Sequence, residues 1–279
     1  MEIWYFICKL LPFEMLQWNF MRNALLAILF MAPLFGLMST MIVTGKMSFF
    51  SDALGHSAFT GIAIGSIFGI AAPTWAAILF SVVFALLFSY VRSRSHQAAD
   101  TLIGVFSSTA VALGIFVATL NGGSFTKYNK YLIGDILSIT PGELGLLALI
   151  LLAVVGFWFL AGNRLTLIAI HPQLASSRGI HTGLSNALFT VAIAIVVTLT
   201  ISSVGLLILN SLLVLPGASS RNISRNLRQY HAFSVIFALI SGLSGLIASY
   251  YLGCSASAAI SLSLAVVFVI TFCLRKVRA

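Results

Sequence analysis

The sequence predicts an all-α polytopic integral membrane protein with about eight or nine transmembrane helices, and three observations carry that prediction. Of the 279 residues, 60% are hydrophobic and only 8% are charged, with a mean hydropathy of +1.08. A soluble domain with a single core is never this apolar. Apolar runs about 20 residues long recur from end to end, the length needed to cross the hydrocarbon core of a bilayer. Segments of about ten residues with alternating polarity do not occur, which sets aside an outer-membrane barrel.

The formal charge of +9 does not read as a nucleic-acid footprint. Arg92 and Arg94, then Arg221, Arg225 and Arg228, then Arg275, Lys276 and Arg278 all fall between or after apolar runs. Basic residues confined to such places follow the positive-inside rule for cytoplasmic loops. Cys8, Cys254 and Cys273 are scattered, so neither a disulfide framework nor a structural zinc site is indicated. Glu2 and Glu14, with no small-residue cleavage site after a short apolar core, argue against a cleaved signal peptide.

Residues 1–21 mix Trp4, Tyr5 and Trp18 with Lys9 and Glu14, a composition suited to an interfacial N-terminal segment. Residues 22–279 read as a single transmembrane domain. Its first span runs from about Asn23 to Thr44 and its second through 50–70. Pro73 opens a third that ends near Tyr90, before a basic loop. A fourth covers about 100–120, and a long polar connection, 121–141, leads to a fifth at Leu144–Ala161. A second polar loop begins at Gly162. The apolar stretch Ala187–Leu215 is too long for one span and breaks near Ser202, Ser203 and Gly205. We expect one full span there and a shorter one ending at Pro216, the kind of interruption that can line a transport path. The last two spans are about Ala232–Tyr251 and Ser257–Leu274. Counting back from a cytoplasmic C-terminus puts the three basic regions on one side and the 121–141 loop on the other, with Lys127 and Lys130 as exceptions.

The chemistry concentrates in Met47–Gly65, MSFFSDALGHSAFTGIAIG. Asp52 and His56 stand four residues apart, which on a helix places them on one face. Ionisable residues inside a membrane span are costly and mark pathways or ligand sites. A carboxylate with an imidazole suits zinc, manganese or iron. The competing reading makes Ser51 or Asp52 the N-cap of a helix beginning near Ala53, with His56 an ordinary polar residue. Asp100 is likewise either an N-cap or a second carboxylate bordering the path. Gly61, Gly65 and Gly69, and Gly242 with Gly245, read as small-residue packing faces. His96, His171, His181 and His231 read as solvated or interfacial.

KMSFFSDALGHSAFTGIAIG resembles the membrane subunits of bacterial ATP-binding-cassette importers for zinc, manganese and iron. DTLIG at 100–104, YLIGDILSITPGEL at 131–144 and VGLLILNSLLVLPGASSR at 204–221 resemble segments of the same family, in the same order. The resemblance implies a permease that passes a divalent metal ion along a path near Asp52 and His56, with Asp100 and Asp135 matching further acidic positions. QLASSRG, from Gln173 to Gly179, is similar to the cytoplasmic loop of import permeases. There, Gln173, Ala175 and Gly179 would dock a separate ABC ATPase subunit, within a loop spanning 171–183. The implied partners are that ATPase, an extracytoplasmic metal-binding protein and a second permease copy or related chain, in the bacterial cell (inner) membrane. Ser51 and Gly55 replace the usual Gly and Ser of the pattern, and GCSASAAIS replaces a Pro-Ser-Gly-like turn.

No G-x-x-x-x-G-K-[ST] phosphate loop occurs, so ATP would bind the partner, and no permanent cofactor is expected. Two other classes compete. A stand-alone secondary transporter would work without an ATPase. An intramembrane serine protease could use Gly242-Leu243-Ser244-Gly245, but no His follows His231 to act as base from a later span.

Overall fold

The computed structural model describes residues 4–5, 14–67, 73–95, 97–120 and 135–278. Among them the regular elements are helices: α1 Asn19–Thr44, α2 Phe50–Ile67, α3 Pro73–Arg94, α4 Ala99–Thr119, α5 Pro141–Ile170, α6 Pro172–Ser177, α7 Thr182–Val204, α8 Leu206–Ile223, α9 Leu227–Leu252 and α10 Ala256–Arg278. Short 3-10 turns occupy Glu14–Gln17 and Ile136–Ser138. Eight of these helices are long and apolar enough to cross a membrane. The ninth long helix, α2, is not among them, because Asp52, His56 and its serines lower its hydropathy. In the sequence the choice between eight and nine spans turns on how Ala187–Leu215 divides, and that stretch forms two long apolar helices, α7 and α8.

Several boundaries differ from expectation. The basic residues Arg92 and Arg94 belong to the last turn of α3, where cations complement the exposed carbonyls of a helix C-terminus. The fifth span is 30 residues long and takes in the first part of the anticipated polar loop, through Ile170. Asn163, Arg164 and Thr166 sit within α5, and Thr166 Oγ1 satisfies itself on the Gly162 carbonyl at 2.8 Å. The break between α7 and α8 falls at Gly205, whose φ of 91° only glycine adopts without strain. Pro216 does not end α8, which continues to Ile223. A proline inside a helix frees backbone groups one turn away. Ser39 of α1 bonds the backbone on either side of Pro216, donating to the Val214 carbonyl at 3.3 Å and accepting from the Gly217 N–H at 2.8 Å.

The chain divides into two compact units. The first comprises the described residues of Met1–Thr40, Asp135–Gly156 and Ser203–Ala279. Within it α10 packs on α8 and α9. Small residues set the spacing: a Cβ on Gly245 would stand 2.5 Å from Ile260 Cα, and one on Gly36 would stand 2.9 Å from Val235 Cα. Ser244 hydrogen-bonds the Ser241 carbonyl of its own helix, as a packing residue does. His231 is not a solvated bystander. Its Nδ1 lies 2.9 Å from Thr40 Oγ1, while Tyr230 donates to the Thr40 carbonyl at 3.1 Å. Near the N-terminus, Trp4 Nε1 donates to the Arg22 carbonyl and Tyr5 OH to Asn23 Oδ1, tying those aromatics to the start of α1.

The second unit comprises the described residues of Met41–Gly134 and Phe157–Ser202. At its heart α2 packs against α3 and α4. A Cβ on Gly61 would stand 2.5 Å from Ala77 Cα, and one on Gly65 would stand 2.7 Å from Ala76 Cβ, so these glycines allow α3 to approach. Ser57 Oγ meets Ser81 Oγ at 3.1 Å, and Thr60 Oγ1 donates to the Ala110 carbonyl at 2.7 Å. Phe50 stacks on Phe88 at 4.6 Å, and Phe106 meets Phe84 and Phe88 edge-on. Together these contacts bury most of α2.

Candidate functional site

The accessible side of α2 along the stretch from Phe50 to Ala63 is formed by Asp52 and His56. From Phe50 to Ala63 every other residue of the helix is buried. Asp52 retains 43% side-chain exposure and His56 28%. The helix begins at Phe50, whose N–H bonds the Met47 carbonyl. Neither Ser51 nor Asp52 is therefore the N-cap: both are already inside the first turn. There the carboxylate gains from the positive end of the helix dipole.

His56 Nε2 lies 3.6 Å from Asp52 Oδ2. Two bonds of about 2.1 Å opening at a tetrahedral angle separate their donor atoms by about 3.4 Å. The pair is thus spaced to share one ion with little side-chain movement. A hard carboxylate oxygen and a borderline imidazole nitrogen suit first-row divalent ions. Among the described residues no group of three or more His, Cys, Asp or Glu is placed to hold a metal. Two protein donors make an incomplete shell, which carbonyls or water would have to close, and which favours passage over permanent capture.

Asp100 does not join the pair. It is exposed, as the second residue of α4, whose N-cap is Ala98. Of the two readings of Asp100, the N-cap gives way to a first-turn acid beside the dipole. Asp135 is an N-cap, accepting from the Leu137 N–H at 3.0 Å at the 3-10 turn before α5.

The 171–183 segment contains the six-residue helix α6. Ala175 is fully buried, while Gln173 and Gly179 are exposed. Gly179 has φ of 74°. The Ile180 N–H bonds the Ala175 carbonyl and the Gly179 N–H bonds the Ser176 carbonyl. This is a Schellman closure, with Gly179 at the left-handed position. The Ala-x-x-x-Gly spacing in the sequence is therefore the spacing from the buried end of a helical turn to its terminating glycine. His171 and His181 are exposed at the ends of this segment, as expected. His96, Lys127 and Lys130 lie outside the described residues.

Sequence reasoning passed over Glu143. It closes a capping box on α5, accepting from the Thr140 N–H and hydroxyl, each at 2.8 Å. Its second oxygen accepts from Ser203 Oγ at 2.8 Å. The T-x-x-E spelling of Thr140–Glu143 was the available signal.

The profile of the ABC 3 transport family matches residues 17–275. The chain belongs to the ABC 3 transport family. Across 94% of its length it is 31% identical to an uncharacterised membrane protein of Synechocystis, 93% of which is covered. Over 84% of the chain and 90% of the relative it is 28% identical to the high-affinity zinc uptake system membrane protein ZnuB of Haemophilus influenzae. It is 27% identical to the manganese import system permease protein ScaB of Streptococcus parasanguinis, over 92% of the chain and 91% of the relative. Among solved structures, PsaBC from Streptococcus pneumoniae in complex with Fab matches with a TM-score of 0.77 and 25% identity. That match covers 98% of this chain and 95% of the other. The helical architecture is therefore similar to that of the PsaBC chain nearly end to end.

Proposed function

We propose that this chain is the permease subunit of an ATP-driven importer of zinc or manganese in a bacterial cell (inner) membrane. Family membership supports the permease, and the names of the zinc and manganese relatives support the cargo class. The observation that carries the reading is the Asp52–His56 pair, the sole accessible side chains on the otherwise buried stretch from Phe50 to Ala63.

In this reading an external binding protein hands over the ion, already stripped of part of its water. Asp52 supplies charge and His56 a nitrogen donor, while carbonyls or water complete a transient shell. Asp100 borders the route as a further negative charge rather than as a third ligand. A separate ABC ATPase docks on the 171–183 loop, with Ala175 anchoring α6 to its own unit and Gln173 and Gly179 facing the partner. ATP binds that partner, and its closure moves the spans through α6. A second permease copy or related chain completes the assembly, and residues 1–21 lie along the membrane interface ahead of one permease domain, 22–279.

The test is uptake of labelled zinc and manganese into proteoliposomes carrying the chain, its ATPase and its binding protein. ATP-dependent accumulation of either ion is expected. Accumulation that proceeds without the ATPase would make the chain a secondary transporter instead.

A further inference from the structure

A cleft of about 290 Å³ opens at one end of the second unit, where α1, α3 and α5 finish and α7 begins. Lys46 and Arg92 line it, together with the amide of Asn186 and apolar walls that include Leu165, Ile168 and Phe189. Among the described residues no carboxylate contributes to the lining. Among the described residues the ion pair present is Asp52–His56, so neither cation of the cleft has an acidic partner. Arg92 is held in place by donating Nη2 to the Gly45 carbonyl at 3.0 Å, which leaves other N–H groups of its fork unused by that bond.

The position of Lys46 adds a second, independent observation. The Met47 N–H bonds the Ile42 carbonyl and the Lys46 N–H bonds the Val43 carbonyl, so α1 ends in the same Schellman closure as α6. At the left-handed position α6 has Gly179, but α1 has Lys46, with φ of 54°. A side chain there strains the backbone where glycine would not. A strained residue held beside a cationic cleft points to a use for its charge.

We propose that this cleft binds the phosphate headgroup of an anionic phospholipid. Two cations and an amide match a phosphodiester, and the apolar walls match the glycerol and first methylenes attached to it. The cleft sits at the basic end of the spans, which the charge rule assigns to the cytoplasmic leaflet, where anionic headgroups meet juxtamembrane Lys and Arg. A volume of 290 Å³ is that of roughly ten water molecules, room enough for one headgroup.

The experiment uses the full chain in nanodiscs of phosphatidylcholine, with or without phosphatidylglycerol, and in phosphatidylcholine with millimolar inorganic phosphate. Thermal midpoint and co-purified phosphatidylglycerol by native mass spectrometry are read for three proteins. Lys46→Asn removes the charge but accepts the left-handed backbone, so it folds at least as well as the parent in phosphatidylcholine. Arg228→Gln removes an equal charge from the exposed basic stretch at the start of α9. Phosphatidylglycerol should raise the midpoint of the parent and of Arg228→Gln. Lys46→Asn should lose that rise and retain about fivefold less phosphatidylglycerol. Equal responses of Lys46→Asn and the parent would overturn the proposal. An equal loss in Arg228→Gln would overturn it in favour of diffuse charge attraction. Stabilisation by inorganic phosphate alone would replace the lipid with a soluble anion.

Discussion

Ser39 Oγ accepts the Gly217 N–H at 2.8 Å, directly after Pro216 in the middle of α8. The bond lies in a buried setting, and the same hydroxyl also donates to the Val214 carbonyl. A buried N–H left without a partner costs about 1–3 kcal/mol. Ser39→Ala should therefore lower the thermal midpoint in detergent, followed by circular dichroism, with the helix content before melting unchanged. A melt indistinguishable from the parent would mean that α8 closes its own ladder around Pro216.

Glu143 combines two tasks that variants can separate. Glu143→Ala removes the capping box of α5 and the tie to Ser203 together, and should destabilise by about 1–3 kcal/mol. Glu143→Gln keeps one carbonyl oxygen to accept from Thr140 and turns an N–H donor toward the Ser203 hydroxyl, which can accept it. It should therefore cost less. Ser203→Ala leaves the box intact and should fall between the parent and Glu143→Ala. Apparent midpoints of the purified variants, compared side by side, give that order or refute it.

The glycines divide sharply by what a methyl group would meet. At Gly61 the new Cβ would press on the backbone of α3, 2.5 Å from Ala77 Cα, so Gly61→Ala must push α2 and α3 apart. At Gly104 nothing lies within 4 Å, and alanine improves helix propensity by up to about 1 kcal/mol. Gly61→Ala should reduce membrane yield and melting temperature, whereas Gly104→Ala should leave both unchanged or raised. Equal tolerance at the two positions would show that α2 and α3 are less tightly engaged than the contacts imply.

Gly179 has open space around its missing side chain and is instead required by its φ of 74°. Gly179→Ala should cost about 1–2 kcal/mol locally, unwinding the end of α6 without unfolding the spans. Gly179→Asn, whose side chain is tolerated at left-handed positions, should be milder. Co-purification with the ATPase subunit measures the consequence. Loss with alanine and partial retention with asparagine are expected if α6 docks it.

Much of the architecture was legible in the sequence because membrane spans announce themselves by length and apolarity alone. The break at Gly205 and the packing roles of Gly61, Gly65, Gly242 and Gly245 followed from residue size. The end of α8 was misread at Pro216, since the serine that bonds the backbone on either side of the proline comes from position 39, far away in the chain. The extension of α5 through Asn163, Arg164 and Thr166 was hidden because polar residues near a helix end resemble a loop until their partners are known. At the site, the i, i+4 spacing identified Asp52 and His56 as neighbours. Only the packing of α2 could reveal that they hold its accessible face. His231 was underrated for the same reason, as its partner Thr40 lies on another helix.

The central claim is that Asp52 and His56 handle the transported ion, and cellular metal content tests it most directly. Cells lacking the chain are starved of metal, then restored with the parent, Asp52→Ala or His56→Ala at matched membrane levels, and assayed by elemental analysis. The account predicts that the parent restores zinc or manganese and that each single variant restores little of it. Full restoration of the same metal by either variant would contradict it, leaving that residue an ordinary polar side chain on the open side of α2.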